Sequence, residues 1–378
     1  MKKVLIFTSH EGHLSIAQAI DYSLTQAGFM VKKADFLSEK VFSAYMPFYR
    51  YFPFLFQLPY KIGKQATIQK AVKKATTTMF EKKIKEIIKI NQPDIIISTN
   101  LSYNSAISKV LDYQKSPIPF INIIANPWTI HPLEFCLNAD LNLVYDQKGL
   151  KLGQKYHIPS NKMAILGWPV RQQFYQPYHL NQIRKKLGFK QDVFTLLICG
   201  GSEGTNMILK ILPSFLTIKK PVQVIAVCGT NKTLYQALLS FKKILPQLAK
   251  TKINKLTKLN DQLNIKLFRF TDNLAQLINI SDLVVGKAGP NLIFETVACQ
   301  KPFLAICHIS GQEDDNLSLI RKKKLGLVEE NIIKVIKLLE KTIDQPKILA
   351  KYSAGIDQEK NCNLASQEKL VKIVKSLI

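Results

Sequence analysis

Residues 283–307 read LVVGKAGPNLIFETVACQKPFLAIC, and this stretch decides the fold class. An apolar run at 283–285 enters a turn with two glycines, and a helical pattern then leads to a second apolar run at 303–307. Strand, helix and strand in succession are typical of a parallel sheet, so the sequence predicts an α/β fold. Further strands are predicted at 4–8, 94–98, 119–125, 141–145, 164–166, 194–199, 223–228 and 265–268.

The segment 167–180, GWPVRQQFYQPYHL, separates two series of these units. Its two prolines indicate an ordered linker. A chain of 378 residues is long enough for two domains that each have a core. We therefore predict an N-terminal domain over 1–168, a C-terminal domain over 169–355, and a C-terminal helix over 356–378 that packs back on the first domain.

The chain is strongly basic, with 53 Lys and Arg against 27 Asp and Glu and a formal net charge of +26. The excess of basic residues reflects either a general bias in amino-acid composition or a role in binding polyanions, namely nucleic acid or an anionic membrane. Because no nucleic-acid module signature is present, we expect no nucleic-acid partner. None of the six cysteines forms a CxxC pair, so the sequence favours neither a zinc ribbon nor a disulfide framework. The expected compartment is therefore a reducing cytosol.

The aromatic segment 45–60, YMPFYRYFPFLFQLPY, breaks the α/β pattern. From 47 to 85 there are nine basic residues and one acidic residue. Aromatic rings beside cations suit a bilayer interface; the alternative is a loop folded over its own core. Since no stretch approaches the ~20 apolar residues of a membrane span, we expect a cytoplasmic protein that is peripheral on the inner face of the cell membrane. The expected contacts to an anionic membrane or an acceptor are Phe48, Arg50, Phe52, Phe54 and Phe56.

A second group of residues could hold a nucleotide. Gly286 and Gly289 flank the strand-to-helix turn, where backbone N–H groups and a helix N-terminus can approach a phosphate. Glu295, about one and a half turns into that helix, could accept hydrogen bonds from two ribose hydroxyls. Gln312 and Glu313 follow the next strand, at the carboxyl end of the sheet, where open α/β sheets bind ligands. Each residue alone would be unremarkable in a loop or on a helix surface, but the combination is specific.

These runs resemble a known family. KAGPNLIFE followed by GQEDDN is similar to the nucleotide-sugar site of the monogalactosyldiacylglycerol synthase and processive diacylglycerol glycosyltransferase group, which is glycosyltransferase family 28-like. IIANPWTIHPLEF, LGWPVRQQF, LLICGGSEG and VCGTNKTL resemble further segments of that group. The resemblance implies the GT-B architecture of two facing Rossmann-like domains with parallel sheets. It also implies a UDP-sugar donor and inversion at the anomeric centre.

The resemblance assigns the donor mainly to the C-terminal domain. Glu295 would bind the ribose, Gln312 and Glu313 would hold sugar hydroxyls, and Gly289 with Pro290 at the helix start would meet the diphosphate. The other donor-site residues implied in this way are Gly200, Gly201 and Gly204 beside the diphosphate, Gly229 and Asn231 in the nucleotide cleft, Phe270 near the uracil, and Lys287 facing the charge of the leaving group.

The acceptor side departs from the family pattern. A GGGH turn follows the first strand in the family, whereas residues 10–13 here read HEGH. His13 keeps the histidine position, and a neutral imidazole there could act as the catalytic base that deprotonates an acceptor hydroxyl. Asn126 stands where related synthases tend to have Asp. His131 is predicted either to contact the acceptor lipid or to have a structural role.

No DxD carboxylate pair is present, since Asp314 and Asp315 are adjacent, so we expect no metal and no other cofactor. The predicted reaction moves a hexose from a UDP-sugar to a membrane lipid such as diacylglycerol. One alternative is N-acetylglucosaminyl transfer to a polyprenyl-linked glycan. Another is a non-catalytic nucleotide-sugar-binding subunit, which the two lost glycines near His13 would permit.

Overall fold

The computed structural model describes residues 1–10, 12–36, 57–201, 204, 206–212, 215, 218, 220–249 and 263–378. The aromatic segment at 45–56 and Glu11 lie outside the described residues. Within these described residues, two six-stranded parallel sheets, each flanked by helices, form the α/β architecture that the sequence predicted.

The first sheet has the strand order β2-β1-β3-β4-β5-β6. Its direction of winding reverses between β1 and β3, so the loops that follow these two strands border a crevice where open sheets bind ligands. The strands are β1 (Lys3–Phe7), β2 (Met30–Ala34), β3 (Ile95–Ser98), β4 (Phe120–Ile123), β5 (Leu141–Val144) and β6 (Met163–Ile165), and the helices are α1 (Gly12–Gln26), α2 (Gln57–Ile62), α3 (Ala66–Asn91), α4 (Leu101–Tyr113) and α5 (Gln147–Lys155).

The second sheet has the order β12-β11-β10-β7-β8-β9, which is the strand order of a dinucleotide-binding Rossmann sheet. Its winding reverses between β7 and β10, where Gly286 pairs with Cys199. The strands are β7 (Phe194–Cys199), β8 (Val222–Val227), β9 (Leu263–Phe268), β10 (Leu283–Lys287), β11 (Phe303–Cys307) and β12 (Gly326–Val328), and the helices are α6 (Leu180–Leu187), α7 (Met207–Ile211), α8 (Lys232–Ala249), α9 (Leu274–Asn279), α10 (Pro290–Ala298), α11 (Asp314–Lys322), α12 (Ile332–Asp344) and α13 (Ser353–Leu377).

Two edge strands were not predicted from the sequence. β2, with the sequence MVKKA, has no fully buried residue, and β12 is three residues long. Both lie at a sheet edge, where half of each strand meets solvent or a loop. Neither therefore has the continuous apolar run that marks a strand buried on both faces.

Helix α13 joins the two domains by packing on α1 and on α10. One apolar cluster runs through all three helices, with Ile20 from α1, Phe294 from α10 and Val374 from α13. At the end of β6 the linker passes close to α13. A Cβ on Gly167 (φ +92°) would lie 3.1 Å from the carbonyl oxygen of Cys362, so this crossing requires glycine.

Trp168 follows that glycine and is buried in the junction between the domains. Its ring stacks on Phe294 with centroids 5.0 Å apart, and its backbone N–H donates to Oδ1 of Asn363 on α13 over 3.0 Å. Trp128, from the loop after β4, lies across the junction between Lys148 of the first domain and Lys322 of the second. The domains thus meet through packed aromatic side chains.

Candidate active site

The candidate base, His13, lies in the first turn of α1. Its Nδ1 is 2.6 Å from the carbonyl oxygen of Thr99, the residue that follows β3. A carbonyl only accepts, so Nδ1 must carry the proton and Nε2 keeps its lone pair. Burial lowers the pKa of His13 below its usual value, although the Thr99 hydrogen bond opposes this. Hence the ring is neutral near pH 7, and Nε2 is able to accept a proton.

Asn291, in the first turn of α10, connects this turn to the second domain. Its Nδ2 donates to the carbonyl oxygen of Gly12 over 3.0 Å, and its Oδ1 accepts from Nε1 of Trp168 over 3.3 Å. Because the indole can only donate and the carbonyl can only accept, the orientation of the amide is fixed. The start of α1 and the start of α10 therefore lie side by side. The sequence prediction did not include Asn291, although the residue is part of the KAGPNLIFE run.

Glu295 is buried on α10 and pairs with Arg171 of the linker. Nη2 and Nε of Arg171 donate to Oε1 over 2.7 and 3.2 Å. Burial raises the pKa of Glu295, and the guanidinium acts against that rise. The carboxylate is thus held in one orientation, with Oε2 receiving no hydrogen bond from the described residues. The sequence placed Glu295 in the site but did not identify Arg171 as its partner, although the arginine belongs to the GWPVR run.

Lys287 and Glu313 form a buried ion pair at the carboxyl end of the second sheet. Oε2 of Glu313 also accepts from the backbone N–H of Ile309 over 2.8 Å. A Cβ on Gly289 would lie 3.2 Å from Nζ of Lys287, so the backbone of the α10 turn passes directly over the pair. Glu313 therefore fixes the end of its loop, and its predicted contact with sugar hydroxyls stays a prediction.

The glycine turn after β7 lies against the segment that follows β8. Gly204 has a φ of +65°, and a Cβ there would be 2.0 Å from the carbonyl oxygen of Cys228. Nδ2 of Asn231 donates to the carbonyl of Gly204 over 2.9 Å, and Asn231 is buried. Asn231 thus stabilises the backbone of this turn, and its predicted place in the nucleotide cleft stays a prediction. Gly200 is in this turn, Gly201 and Gly229 have φ of +82° and +58°, and residues 202, 203 and 205 lie outside the described residues.

Three further residues were predicted at the donor site, and their contact with a donor stays a prediction. Phe270, two residues beyond β9, is 62% exposed and available to a planar base. Pro290 is the first residue of α10, where its missing N–H costs no hydrogen bond. Gln312 is half-buried in the loop before α11.

The acceptor-side residues are held within the first domain. Nδ2 of Asn126 donates to Oε2 of Glu134 over 3.0 Å, and burial raises the pKa of Glu134 to about 7. Nδ1 of His131 accepts from the N–H of Leu133 over 3.1 Å, so this histidine caps the turn 132–134. Of the two roles that the sequence left open for His131, these contacts supply the structural one. Phe48, Arg50, Phe52, Phe54 and Phe56 lie outside the described residues.

Helix α2 touches the second domain. A Cβ on Gly311 (φ +86°) would lie 3.0 Å from Cβ of Tyr60, and the Tyr60 ring meets His131 edge-on with centroids 4.9 Å apart. Next to this contact, the N–H of Asp315 donates to Oγ1 of Thr129 over 2.9 Å. The loop before α11 and the start of α11 therefore contact the first domain at α2 and at the loop after β4.

In the described part of the chain, no three His, Cys, Asp or Glu side chains cluster in a way that could hold a metal ion. None of the helices described has the length and hydropathy that a bilayer span requires.

The two halves of the chain match two family models. Residues 14–170 match the monogalactosyldiacylglycerol (MGDG) synthase family, and residues 195–372 match the glycosyltransferase family 28 C-terminal domain. The processive diacylglycerol beta-glucosyltransferase of Bacillus cereus (strain G9842) is 24% identical over 340 residues, which cover 86% of this chain and 81% of that protein. The protein of the same name from Bacillus mycoides (strain KBAB4) is 23% identical over 343 residues, with the same coverage.

Solved structures share the fold at low identity. Acinetobacter baumannii MurG has a TM-score of 0.61 at 12% identity, and the match covers 99% of this chain and 100% of that one. The S. aureus MnaA–UDP structure has a TM-score of 0.62 at 11% identity, covering 100% and 98%. These likenesses identify the fold as GT-B, as the sequence predicted.

Proposed function

Because the chain belongs to the monogalactosyldiacylglycerol synthase and processive diacylglycerol glycosyltransferase group of family 28-like enzymes, we propose that it moves a hexose from a UDP-sugar to a membrane lipid such as diacylglycerol. The Bacillus relatives carry that acceptor in their names. The observation that carries the proposal is the bond between Asn291 and Gly12, since it brings the base-bearing turn of one domain to the helix start of the other.

The reaction follows from this geometry. Nε2 of neutral His13 takes the proton of the acceptor hydroxyl as its oxygen attacks the anomeric carbon. The bond from that carbon to the diphosphate breaks on the opposite face, and UDP leaves with the electron pair. Backbone N–H groups in the first turn of α10 and the dipole of that helix meet the developing charge. The anomeric configuration inverts, because one displacement occurs.

Donor binding is proposed to use the residues of the second domain that the structure groups near α10. Oε2 of Glu295 faces the ribose hydroxyls while Arg171 holds Oε1. Lys287, paired with Glu313, contributes positive charge beneath the diphosphate without leaving its partner. Neither a metal nor another cofactor takes part in this proposal. The charge on the leaving group is met by the protein itself.

We also propose that the protein docks on the inner face of the cell membrane through α2, α3 and the aromatic segment. Phe80, Ile84 and Ile88 are the buried residues of α3, so the first half of this helix has no fully buried side chain. Exposed apolar side chains and exposed cations lie together on α2, on α3 and between them, which suits an anionic interface. The apolar ones are Leu58, Ile62 and Met79, and the cations are Lys61, Lys64, Lys70, Lys73 and Lys74.

A donor and acceptor screen tests the reaction. The protein is incubated with UDP-glucose, UDP-galactose or UDP-N-acetylglucosamine and with vesicles that contain or lack diacylglycerol. We expect release of UDP and formation of glycolipid only when diacylglycerol is present. Donor binding without either product in any combination would contradict the proposal, and transfer confined to a polyprenyl-linked glycan would change the acceptor.

Vesicle sedimentation tests the docking. Replacement of Lys70, Lys73 and Lys74 by Glu should weaken binding to anionic vesicles. The matched control is the same triple replacement of three exposed lysines on α12, Lys334, Lys337 and Lys341, which should bind like the wild type apart from the change in net charge. Equal losses for the two triple variants would indicate non-specific attraction rather than a docking face.

A further inference from the structure

His308, immediately after β11, lies between two carboxylates. Its Nδ1 is 2.7 Å from Oε1 of Glu330, which follows β12, and its Nε2 is 3.1 Å from Oδ1 of Asp314, the first residue of α11. Carboxylates only accept hydrogen bonds, and a neutral imidazole has one N–H. Both bonds can therefore exist together only when His308 is an imidazolium.

The charges around His308 favour that form. The Glu330 hydrogen bond raises the pKa of His308 above its usual value, burial opposes the rise, and the charges of Glu330, Asp314 and Glu313 add to it. Glu313 is paired with Lys287 and does not bond the ring. The two carboxylates that bond the ring are those of Glu330 and Asp314. The free energy of this bridge is present below the unperturbed pKa of histidine and is lost as pH rises through the raised value.

The bridge fixes the loop 308–313, which we name the donor loop. On its outer side, Oδ1 of Asp314 also accepts from the N–H of Gly311 over 2.7 Å. On its inner side, Glu313 binds the N–H of Ile309. Gln312, the predicted sugar contact, lies between these two anchors. A weakened bond between His308 and Asp314 would thus release the outer half of the loop while the inner half stays fixed.

We propose that His308, as an imidazolium held between Asp314 and Glu330, is a positioning residue that sets the conformation of the donor loop and thereby the affinity for the UDP-sugar. The inference rests on the proposed function. His308 does not touch the reacting atoms, so its effect falls on donor affinity and less on the rate at saturating donor. Donor affinity is therefore highest on the acidic side of the raised pKa and decreases above it.

The test compares the donor KM and kcat of the wild type, His308→Gln and Glu330→Gln across pH. The wild-type KM should rise by about three- to tenfold through the transition, as expected for the net contribution of one partly exposed hydrogen bond. The KM of His308→Gln should be high and free of this transition, and that of Glu330→Gln should show it at lower pH. His179→Gln, at an exposed histidine without a side-chain cap bond, is the control and should match the wild type.

Calorimetric binding of UDP-glucose without acceptor separates this inference from the proposed function. If the wild type transfers no sugar, but its UDP-glucose binding depends on pH and this pH dependence is absent in His308→Gln, the proposed function is contradicted and the role of His308 is supported. If the wild type transfers sugar, but His308→Gln has the same pH dependence of binding, the role of His308 is overturned. Because His13 and Glu134 also titrate, the relevant quantity is the difference in UDP-glucose affinity between the wild type and His308→Gln at each pH.

Discussion

Asn291 donates its side-chain N–H to the carbonyl oxygen of Gly12 over 3.0 Å, and this bond joins the second domain to the turn that precedes His13. The same amide accepts from Trp168 in the linker. One side chain is therefore bonded to the first domain, to the linker and, through its own helix, to the proposed donor site. The alignment of the base with the anomeric carbon depends on this contact.

Replacement of Asn291 by Asp should lower kcat more than it raises the donor KM. A carboxylate can still accept from Trp168 but cannot donate to Gly12, so the base-bearing turn loses one bond and meets a repelling oxygen. We expect roughly a tenfold loss in kcat, the equivalent of about 1.4 kcal/mol. Steady-state kinetics with varied donor measures the split.

Asn264→Ala is the matched control, because Nδ2 of Asn264 also donates to a backbone carbonyl, that of Gly188, but within one domain. This variant should retain kcat. An equal loss of kcat in Asn264→Ala and Asn291→Asp would mean that general destabilisation, rather than alignment, is measured.

His13→Ala should abolish turnover and preserve donor binding, since the imidazole is assigned to the acceptor proton. Because burial lowers the pKa of His13, wild-type kcat should decline only at pH values below the usual histidine range, as the base becomes protonated. A pH–rate profile and calorimetric donor binding measure the two effects. Full turnover in His13→Ala would show that another group is the base.

Arg171→Gln should weaken donor binding and destabilise the fold, because it leaves the Glu295 carboxylate buried without its cation. Breaking a buried pair in this way costs about 3–5 kcal/mol. Glu295→Ala should weaken donor binding as well. In the double variant Arg171→Gln/Glu295→Ala, part of the lost stability should return, since no unpaired charge remains. Thermal unfolding and donor titration of the wild type, the two single variants and the double variant give the coupling free energy between Arg171 and Glu295. Strictly additive losses of stability would contradict the predicted coupling.

Gly204→Ala should lower the melting temperature and donor affinity, since the new Cβ would have to move the carbonyl of Cys228 beneath the turn. Gly188→Ala is a close control: its φ is also +65°, but nothing lies within 4 Å of the added Cβ. The control should cost only the left-handed backbone strain, about 1–2 kcal/mol. Equal melting temperatures for the two variants would show that the close approach is not important.

The sequence predicted the parallel sheets well because buried strands such as FTLLIC and FLAIC have continuous apolar runs. It could not predict β2, whose exposed lysines resemble a loop. For the candidate site, Glu295, Gly289 and His13 could be proposed from the sequence because each belongs to a motif near a strand end. The partnerships were not found, because Arg171–Glu295, Lys287–Glu313 and Asn291–Gly12 join residues up to 279 positions apart. Sequence spacing does not indicate which side chains meet in space, either within one domain or across the domain junction.

The two tryptophans of the chain, Trp128 and Trp168, both lie where the domains meet. Trp168 stacks on a phenylalanine of the second domain, and Trp128 lies between lysines of both domains. Any hinge motion that separated the domains would admit water to both indoles, so intrinsic fluorescence should shift to longer wavelength without interference from tryptophan elsewhere. The protein thus contains its own optical reporter of opening and closing, and substrate-driven motion can be followed in stopped-flow experiments on the unlabelled enzyme.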